Sequence, residues 1–288
     1  MGSRCLIVVF QFALAASGRF ASPLNPPNRE VYALQQFLKL ALWLTLLSPI
    51  ASFAQSRATA PEVDQRASAA LSRAQKAVGG LHRLQAIRDV TRAVEMLDLA
   101  ADGRARATWQ IIFPNVLRLT TESPLGEITA FSDGHTGWVS SGMGVDDHLP
   151  DWQIRAVHQD LFRQIESLLQ SDRDPDKKLE FIEHGQVDAR PGSVLQVSSQ
   201  AAGIIRLWID DASGDLLKLE YRRVVPRGTG PLVTDFFSDY RWVKKTLRIP
   251  FHIHTLSDGQ PYMDMQILQV EYNRGLQAET LGQKPQPK

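Results

Sequence analysis

Arg104-Ala105-Arg106-Ala107-Thr108-Trp109-Gln110-Ile111 alternates polar and apolar residues without interruption. Successive side chains of a strand point to opposite faces. Ala105, Ala107, Trp109 and Ile111 therefore share one face, and Arg104, Arg106, Thr108 and Gln110 share the other. One dry face and one wet face is the pattern of a half-buried antiparallel strand. The pattern returns a hundred residues later. Ile205, Leu207 and Ile209 oppose Arg206 and Trp208, and Leu217, Leu219 and Tyr221 oppose Lys218, Glu220 and Arg222.

Working outward, Pro114-Asn115 turns the chain into a second strand, Val116–Thr121, and Ser123-Pro124 breaks it again. Ile128–Phe131 leads to an Asp133-Gly134 turn, and Trp138-Val139 follows. Beyond residue 178 the turn signals and alternation predict strands near 179–183, 185–189, 193–199, 203–210, 216–224, 231–242, 246–256 and 261–272. Two helical patterns interrupt the strands. Val63, Ala67, Ala70, Leu71, Ala74 and Val78 form one apolar stripe, with a Thr59–Glu62 capping box at its start and Gly79-Gly80 at its end. Ile154, Val157, Leu161, Ile165 and Leu168 form another over 151–170. An antiparallel sheet of this length must curl. The expected fold class is mainly β (α+β): a curved antiparallel sheet forming a half-open barrel, covered by two or three helices.

The chain has 288 residues, 43% of them hydrophobic and 22% charged, with a formal net charge of +1. No global field recruits nucleic acid. Its one cysteine, Cys5, lies in an N-terminal region with two apolar runs, Leu6–Ala16 and Leu40–Ile50. The second run follows Lys39 and ends in Ser52-Phe53-Ala54, which fits a signal peptide cleaved after Ala54. The first run, with the proline-rich stretch after it, reads as a mis-assigned extension with the true start near Val31. The expected organisation is thus 1–54 as signal peptide and extension, 59–275 as a single domain, and 276–288 as a disordered tail. Without residues 1–54, 28 basic and 30 acidic residues remain, a net charge of −2. The exported chain would have no thiol. That excludes disulfides, cysteine nucleophiles and thiolate metal sites. No lipobox precedes it, so no lipid anchor is expected.

Few residues of the chain point to catalytic chemistry. The phosphate-loop, nucleophile-elbow and zinc-protease motifs are absent. His252 and His254 share one strand face, but a metal would need a third ligand. Asp146, Asp147 and Asp151 fit the start of a helix, where negative charge is favourable, better than an acid–base cluster. Trp109, Trp138 and Trp208 either fill a core or line an apolar pocket. No cofactor and no enzymatic activity are expected.

Pro114-Asn115-Val116-Leu117-Arg118, followed by Phe131-Ser132-Asp133-Gly134-His135-Thr136-Gly137-Trp138, resembles the periplasmic carriers of the lipoprotein-localisation family, LolA and LolB. Leu207-Trp208-Ile209-Asp210 with Ser213-Gly214 resembles a later strand–turn of that family. The resemblance spans about residues 61–275. It implies an incomplete barrel closed by helices around a cavity for acyl chains, with no catalytic residues. It implies acyl chains, lipids or lipoproteins as partners, with inner- or outer-membrane proteins as further ones, and a periplasmic location. An envelope sensor or structural interaction module on the same scaffold is the alternative. On this reading the cavity candidates are Trp109, Ile111, Leu117, Leu119, Trp138, Leu207, Ile209, Leu219 and Phe237. The lid-helix candidates are Ile154, Val157, Leu161 and Ile165. The carrier has an arginine just before its Pro-Asn turn that is tied to opening and closing; Phe113 stands there in this chain.

Overall fold

A computed structural model of the chain describes residues 64–100, 102–123 and 126–285. The signal sequence, its cleavage site and the Thr59–Glu62 capping box lie outside these residues. In chain order, helices α1 (Gln65–Ala77) and α2 (Leu81–Gln85) precede strands β1 (Asp89–Asp98), β2 (Gly103–Ile112), β3 (Val116–Ser123), β4 (Gly126–Ser132), β5 (Gly137–Ser141) and β6 (Gly144–Asp146). Helices α3 (Asp151–Phe162) and α4 (Ile165–Leu168) come next. They are followed by β7 (Lys177–Val187), β8 (Arg190–Ser199), β9 (Gly203–Asp210), β10 (Leu216–Arg222), β11 (Leu232–Val243), β12 (Leu247–Ser257) and β13 (Gln260–Tyr272), and the short helix α5 (Ala278–Leu281).

The thirteen strands among the described residues form one sheet, ordered β6-β5-β4-β3-β2-β1-β13-β12-β11-β10-β9-β8-β7. It consists of two antiparallel meanders, β1–β6 and β7–β13, joined by the long-range pairing of β1 with β13. Each strand is rotated about 20–25° from its neighbour, so a sheet this wide curls into an unclosed half-barrel. The concave face carries the continuous core. In β1–β2 the inward pairs are Val90↔Ile111, Arg92↔Trp109 and Val94↔Ala107.

Since β6 and β7 are opposite edges of the sheet, residues 147–176 must span its width. They cross the concave side with α3 and α4, and Val157, Leu161, Leu168 and Leu169 are buried in the main core. This strap is the helical cover expected from the sequence. Helix α1 covers the far end. Its stripe of Ala67, Ala70, Leu71, Ala74 and Val78 is buried, and its alanines allow close approach to β7, β8 and β9. Asp64 caps α1, accepting from the Arg66 and Ala67 amides at 3.1 and 3.3 Å and from Phe181 N at 2.9 Å.

Several expectations need correction. The strands expected at 179–183 and 185–189 are one strand, β7. Between the pairs Phe181↔Leu195 and Glu183↔Val194 the register shifts, and Ile182 bulges outward, 41% exposed. A bulge reverses the alternation without ending the strand. The helix expected over 151–170 breaks at Arg163–Gln164, because Gln164 leaves helical geometry (ψ 139°) while its side chain is held by Arg92 and by the Asp160 carbonyl. Asp146 and Asp147 do not cap the helix. Asp146 accepts from the His148 amide and Asp147 pairs with Lys284, while Asp151 alone lies in the first turn. The tail expected to be disordered from 276 is anchored through 283. Leu281 is buried against Val116, Phe131 and Trp138, Trp138 Nε1 donates to Gly282 O at 3.0 Å, and Arg118 donates to the carbonyls of Leu281 and Gln283.

The Asp133-Gly134 turn forms as the sequence predicts. Asp133 Oδ1 accepts from the His135 and Thr136 amides at 2.8 and 2.7 Å. Partial burial would raise its carboxyl, but these hydrogen bonds outweigh it and hold the group below its ordinary value. Gly134 has φ +92°, and a Cβ there would lie 2.9 Å from Cβ of Asn115. Gly134→Val combines strain of about 1–3 kcal/mol with that clash. The melting temperature should fall by roughly 4–10 °C, since about 1 kcal/mol shifts it ~2–4 °C at this size. An unchanged midpoint in thermal circular dichroism would refute this account of the turn.

Candidate functional site

Between the concave face and the strap lies a cavity of about 130 Å³. One apolar wall comes from β1–β3, through Val94, Trp109, Leu117 and Leu119. The other comes from β11–β13, with Phe237, Ile253, Met263, Met265 and Ile267. The strap contributes Trp152, Gln153, Ala156, Gln159, Asp160 and Arg163. These strap residues recur at helical spacing, one position away from the apolar stripe. The stripe fixes the helix to the sheet, and the polar stripe beside it faces the void.

Of the residues singled out from the sequence, Trp109, Leu117, Leu119, Phe237 and Ile165 line this cavity. Ile111, Leu207, Ile209 and Leu219 lie on the concave face as expected, but they are 0–1% exposed in solid packing and do not reach the void. Val157 and Leu161 are likewise core. Ile154 packs on Ala130, Val139 and Leu149 at the β4–β5 end. Trp138 is misplaced by the sequence reading. It pairs with Phe131, and Phe131 pairs with Arg118, which alternates with the inward Leu117 and Leu119. Trp138 therefore faces the opposite side, stacked on Phe131 at 5.9 Å. Trp208 also faces outward, with Val187, Val194 and Leu217.

The sequence reading missed the buried polar groups of the site. Arg92, inward between Val90 and Val94, donates to Gln164 Oε1 and to Glu166 Oε1, and Tyr272 donates its hydroxyl to Glu166 at 2.6 Å. The side chains of Arg92 and Glu166 are 9% and 1% exposed. Burial opposes both charges, but each ion stabilises the other: Glu166 is held below the ordinary carboxylate range and Arg92 is raised. A second cluster joins Arg163 to Asp160 at 3.0 Å and to Asp235 at 3.2 Å, with Thr255 donating to Asp235 at 2.7 Å. Burial also opposes the Arg163 charge, and Tyr221, Asp160 and Asp235 outweigh it. The usable signal was an ionisable residue at an inward position of an apolar alternation: Arg92 in β1 and Asp235 between Val233 and Phe237.

A buried arginine thus does tie the sheet to its cover, although Phe113 occupies the position before the Pro-Asn turn. The C-terminal half of the strap is held at further points. His158 bonds Gly134 O at 2.8 Å, and Gln159 donates to Ala202 O and Arg222 O while accepting from Val224 N. Trp152 and Ala156, one turn apart near the N-terminal end, are only partly buried.

On the other face, His252 lies between Ser238 Oγ (2.8 Å) and Asp264 Oδ1 (2.6 Å), and His254 is 3.7 Å from the same carboxylate. Among the described residues, no group of three or more histidines, cysteines or carboxylates has geometry that could hold a metal ion.

No protein-family model matches the sequence, and no curated protein matches it. Solved structures do match. A domain from Vibrio parahaemolyticus, described as an outer membrane lipoprotein-sorting protein domain, aligns over 75% of this chain and 97% of its own, with a TM-score of 0.52 at 14% identity. A LolA superfamily protein from Nitrosomonas europaea aligns over 76% of this chain and 97% of its own, also with a TM-score of 0.52 at 14% identity. The likeness is one of fold: a curved, unclosed antiparallel sheet with helices over its concave face, the architecture of LolA-like proteins.

Proposed function

We propose that this protein is a non-catalytic envelope protein that binds acyl chains, and that it works as a carrier or binder of lipid or lipoprotein cargo outside the cytoplasm. The observation that carries this reading is the cavity with apolar sheet walls held between the concave sheet face and the strap. The LolA-like fold supports the same reading.

At about 130 Å³ the cavity is smaller than the ~300–1,000 Å³ typical of ligand pockets. A long chain therefore enters only if the strap yields. The strap is covalently tied to both sheet edges and pinned from His158 onward. Movement is therefore assigned to the start of α3, where Trp152 and Ala156 face the void and are only partly buried. Each methylene transferred from water to the cavity contributes ~0.8 kcal/mol. A chain of about ten methylenes thus gains ~8 kcal/mol before ordering costs, equivalent to micromolar affinity. The Arg92–Glu166 pair fixes the closed position without a large barrier, because desolvation of a buried ion pair offsets much of its attraction.

Two experiments follow. Lipid extracted from the purified exported form and analysed by mass spectrometry should contain acylated species. Ala156→Trp should fill the cavity from the cover. It should lower uptake of a fluorescent acyl probe at least tenfold with the melting temperature kept within a few degrees. Undiminished uptake by a folded Ala156→Trp protein would place the ligand elsewhere. A protein free of lipid that also fails to bind the probe would favour the interaction-module alternative.

The tether can be tested separately. Arg92→Met leaves Glu166 charged and unpaired in a dry site and should destabilise by about 3–5 kcal/mol. Arg92→Met combined with Glu166→Leu should recover much of that loss. The pH dependence has a definite sign. Glu166 has its folded value depressed below 4.5, so its stabilisation is complete at neutral pH and is lost as pH falls through the depressed value. Acid unfolding of the double variant should be less steep than that of the wild type. A double variant as unstable as Arg92→Met would show that the pair is not coupled.

A further inference from the structure

We propose that the cavity contains a subsite for a carbonyl oxygen, formed by Trp109 Nε1 and Arg92 Nε, which selects ester- or amide-linked acyl chains over bare hydrocarbon and over free fatty acids. This rests on the acyl-binding reading above and names the chemical class of its ligand.

Arg92 and Trp109 are directly opposite on β1 and β2. Both line the cavity, at 7% and 8% exposure. Among the described residues, each has one buried N–H group with no hydrogen-bond partner, Nε of Arg92 and Nε1 of Trp109. The other groups of Arg92 are engaged by Gln164 and Glu166, which fixes the guanidinium plane. Native interiors rarely leave buried donors unpaired, and such groups call for a partner. Directly opposed residues of an antiparallel pair have Cβ atoms roughly 4.5–5.5 Å apart. A carbonyl oxygen has two lone pairs and can accept from two donors held side by side. The sheet side of the cavity around them includes the apolar side chains of Val94, Leu119, Met265 and Ile267. The ligand that matches is a hydrocarbon chain bearing an oxygen acceptor.

The charges indicate that this acceptor is neutral. Arg92 is balanced by Glu166, and Arg163 is in contact with both Asp160 and Asp235. Arg223 also lines the cavity and turns to Tyr262, with its guanidinium 4.7 Å from the ring. The site thus holds three guanidiniums and three carboxylates, with Glu166 on Arg92, Asp160 and Asp235 on Arg163, and Arg223 against Tyr262. A fatty-acid carboxylate at the donor pair would add a fourth negative charge beside Glu166, in a site where an unbalanced charge is costly. An ester or amide carbonyl brings the acceptor without the charge.

The test is competition at neutral pH between methyl octanoate, octanoate and n-octane for the cavity filled with Nile red, in wild type, Trp109→Phe and Ala156→Trp. Methyl octanoate should displace the dye roughly 3- to 10-fold better than n-octane, the range of one net hydrogen bond, and better than octanoate. Trp109→Phe removes the N–H and replaces the indole by a smaller phenyl ring in the cavity wall, so it is read through the ratio of ester to n-octane displacement. That ratio should fall towards one, whatever the change in the absolute displacement of the dye. The infrared carbonyl band of bound methyl [1-13C]octanoate should shift to lower frequency in wild type and revert towards the free position in Trp109→Phe. Equal competition by ester and alkane, as expected if the donors merely hold a water, would overturn the subsite and leave acyl binding standing. Stronger displacement by octanoate would overturn the charge argument. Dye binding unaffected by Ala156→Trp, with no displacement by any of the three probes, would sink the acyl-binding reading together with the subsite.

Discussion

The pairing of β1 with β13 is the constraint from which the rest of the architecture follows. Either meander alone would be a sheet of ordinary width. Joined through Val90↔Tyr272 to Asp98↔Met263, they form thirteen strands, too many to remain open without curling. The curl creates a concave face. It also sends β6 and β7 to opposite edges, so the chain between them must cross that face. The cavity and its cover thus share one topological cause. Local irregularities accompany the curve: Leu268 bulges where β13 passes β1 between Ala93 and Val94, and Asp239, with φ +55°, lies in the β11–β12 ladder without changing its register.

The strap meets two demands that a single uninterrupted amphipathic helix does not. It must bury leucines against the sheet, and it must present groups that match charged residues already buried there. The break at Arg163–Gln164 reconciles them. Before it, Val157 and Leu161 are core while Gln159 and Asp160 face the cavity. After it, Glu166 reaches Arg92, and Leu168 and Leu169 return to the core. A buried ion pair of this kind adds little net stability over an apolar substitute. Its effect is to fix where the strap sits, because Glu166 accepts from both Arg92 and Tyr272 in this position.

Much of the fold was legible in the residues. Alternation in Arg104–Ile111, Ile205–Ile209 and Leu217–Arg222 identified one-sided strands, and Asp133-Gly134 marked its hairpin. The alanine-rich stripe of α1 has the burial it predicts. Reading failed where local pattern and tertiary contact disagree. Residues 179–183 and 185–189 looked like two strands because a bulge at Ile182 reverses parity. Trp138 looked like a lining residue because an aromatic beside a turn does not state which face it takes. Residues 276–283 looked like a loose tail because their anchors, Trp138 and Arg118, lie more than 140 positions earlier.

The sequence by itself determined that the chain builds a long one-sided antiparallel sheet with two amphipathic helices to cover it, and which residues share a face in the strands without a bulge. These are local properties, set by the two-residue period of a strand and the 3.6-residue period of a helix. Only the tertiary structure decided which part of the apolar face stays open as a cavity and which is filled. Trp109 and Ile111 share a strand and a face, yet one meets a void and the other solid packing. The difference depends on where the strap is held, and Arg92 reaches Gln164 and Glu166 across 72 and 74 positions, and Tyr272 reaches Glu166 across 106. No periodicity encodes contacts at that range, because they exist only once the two meanders have joined.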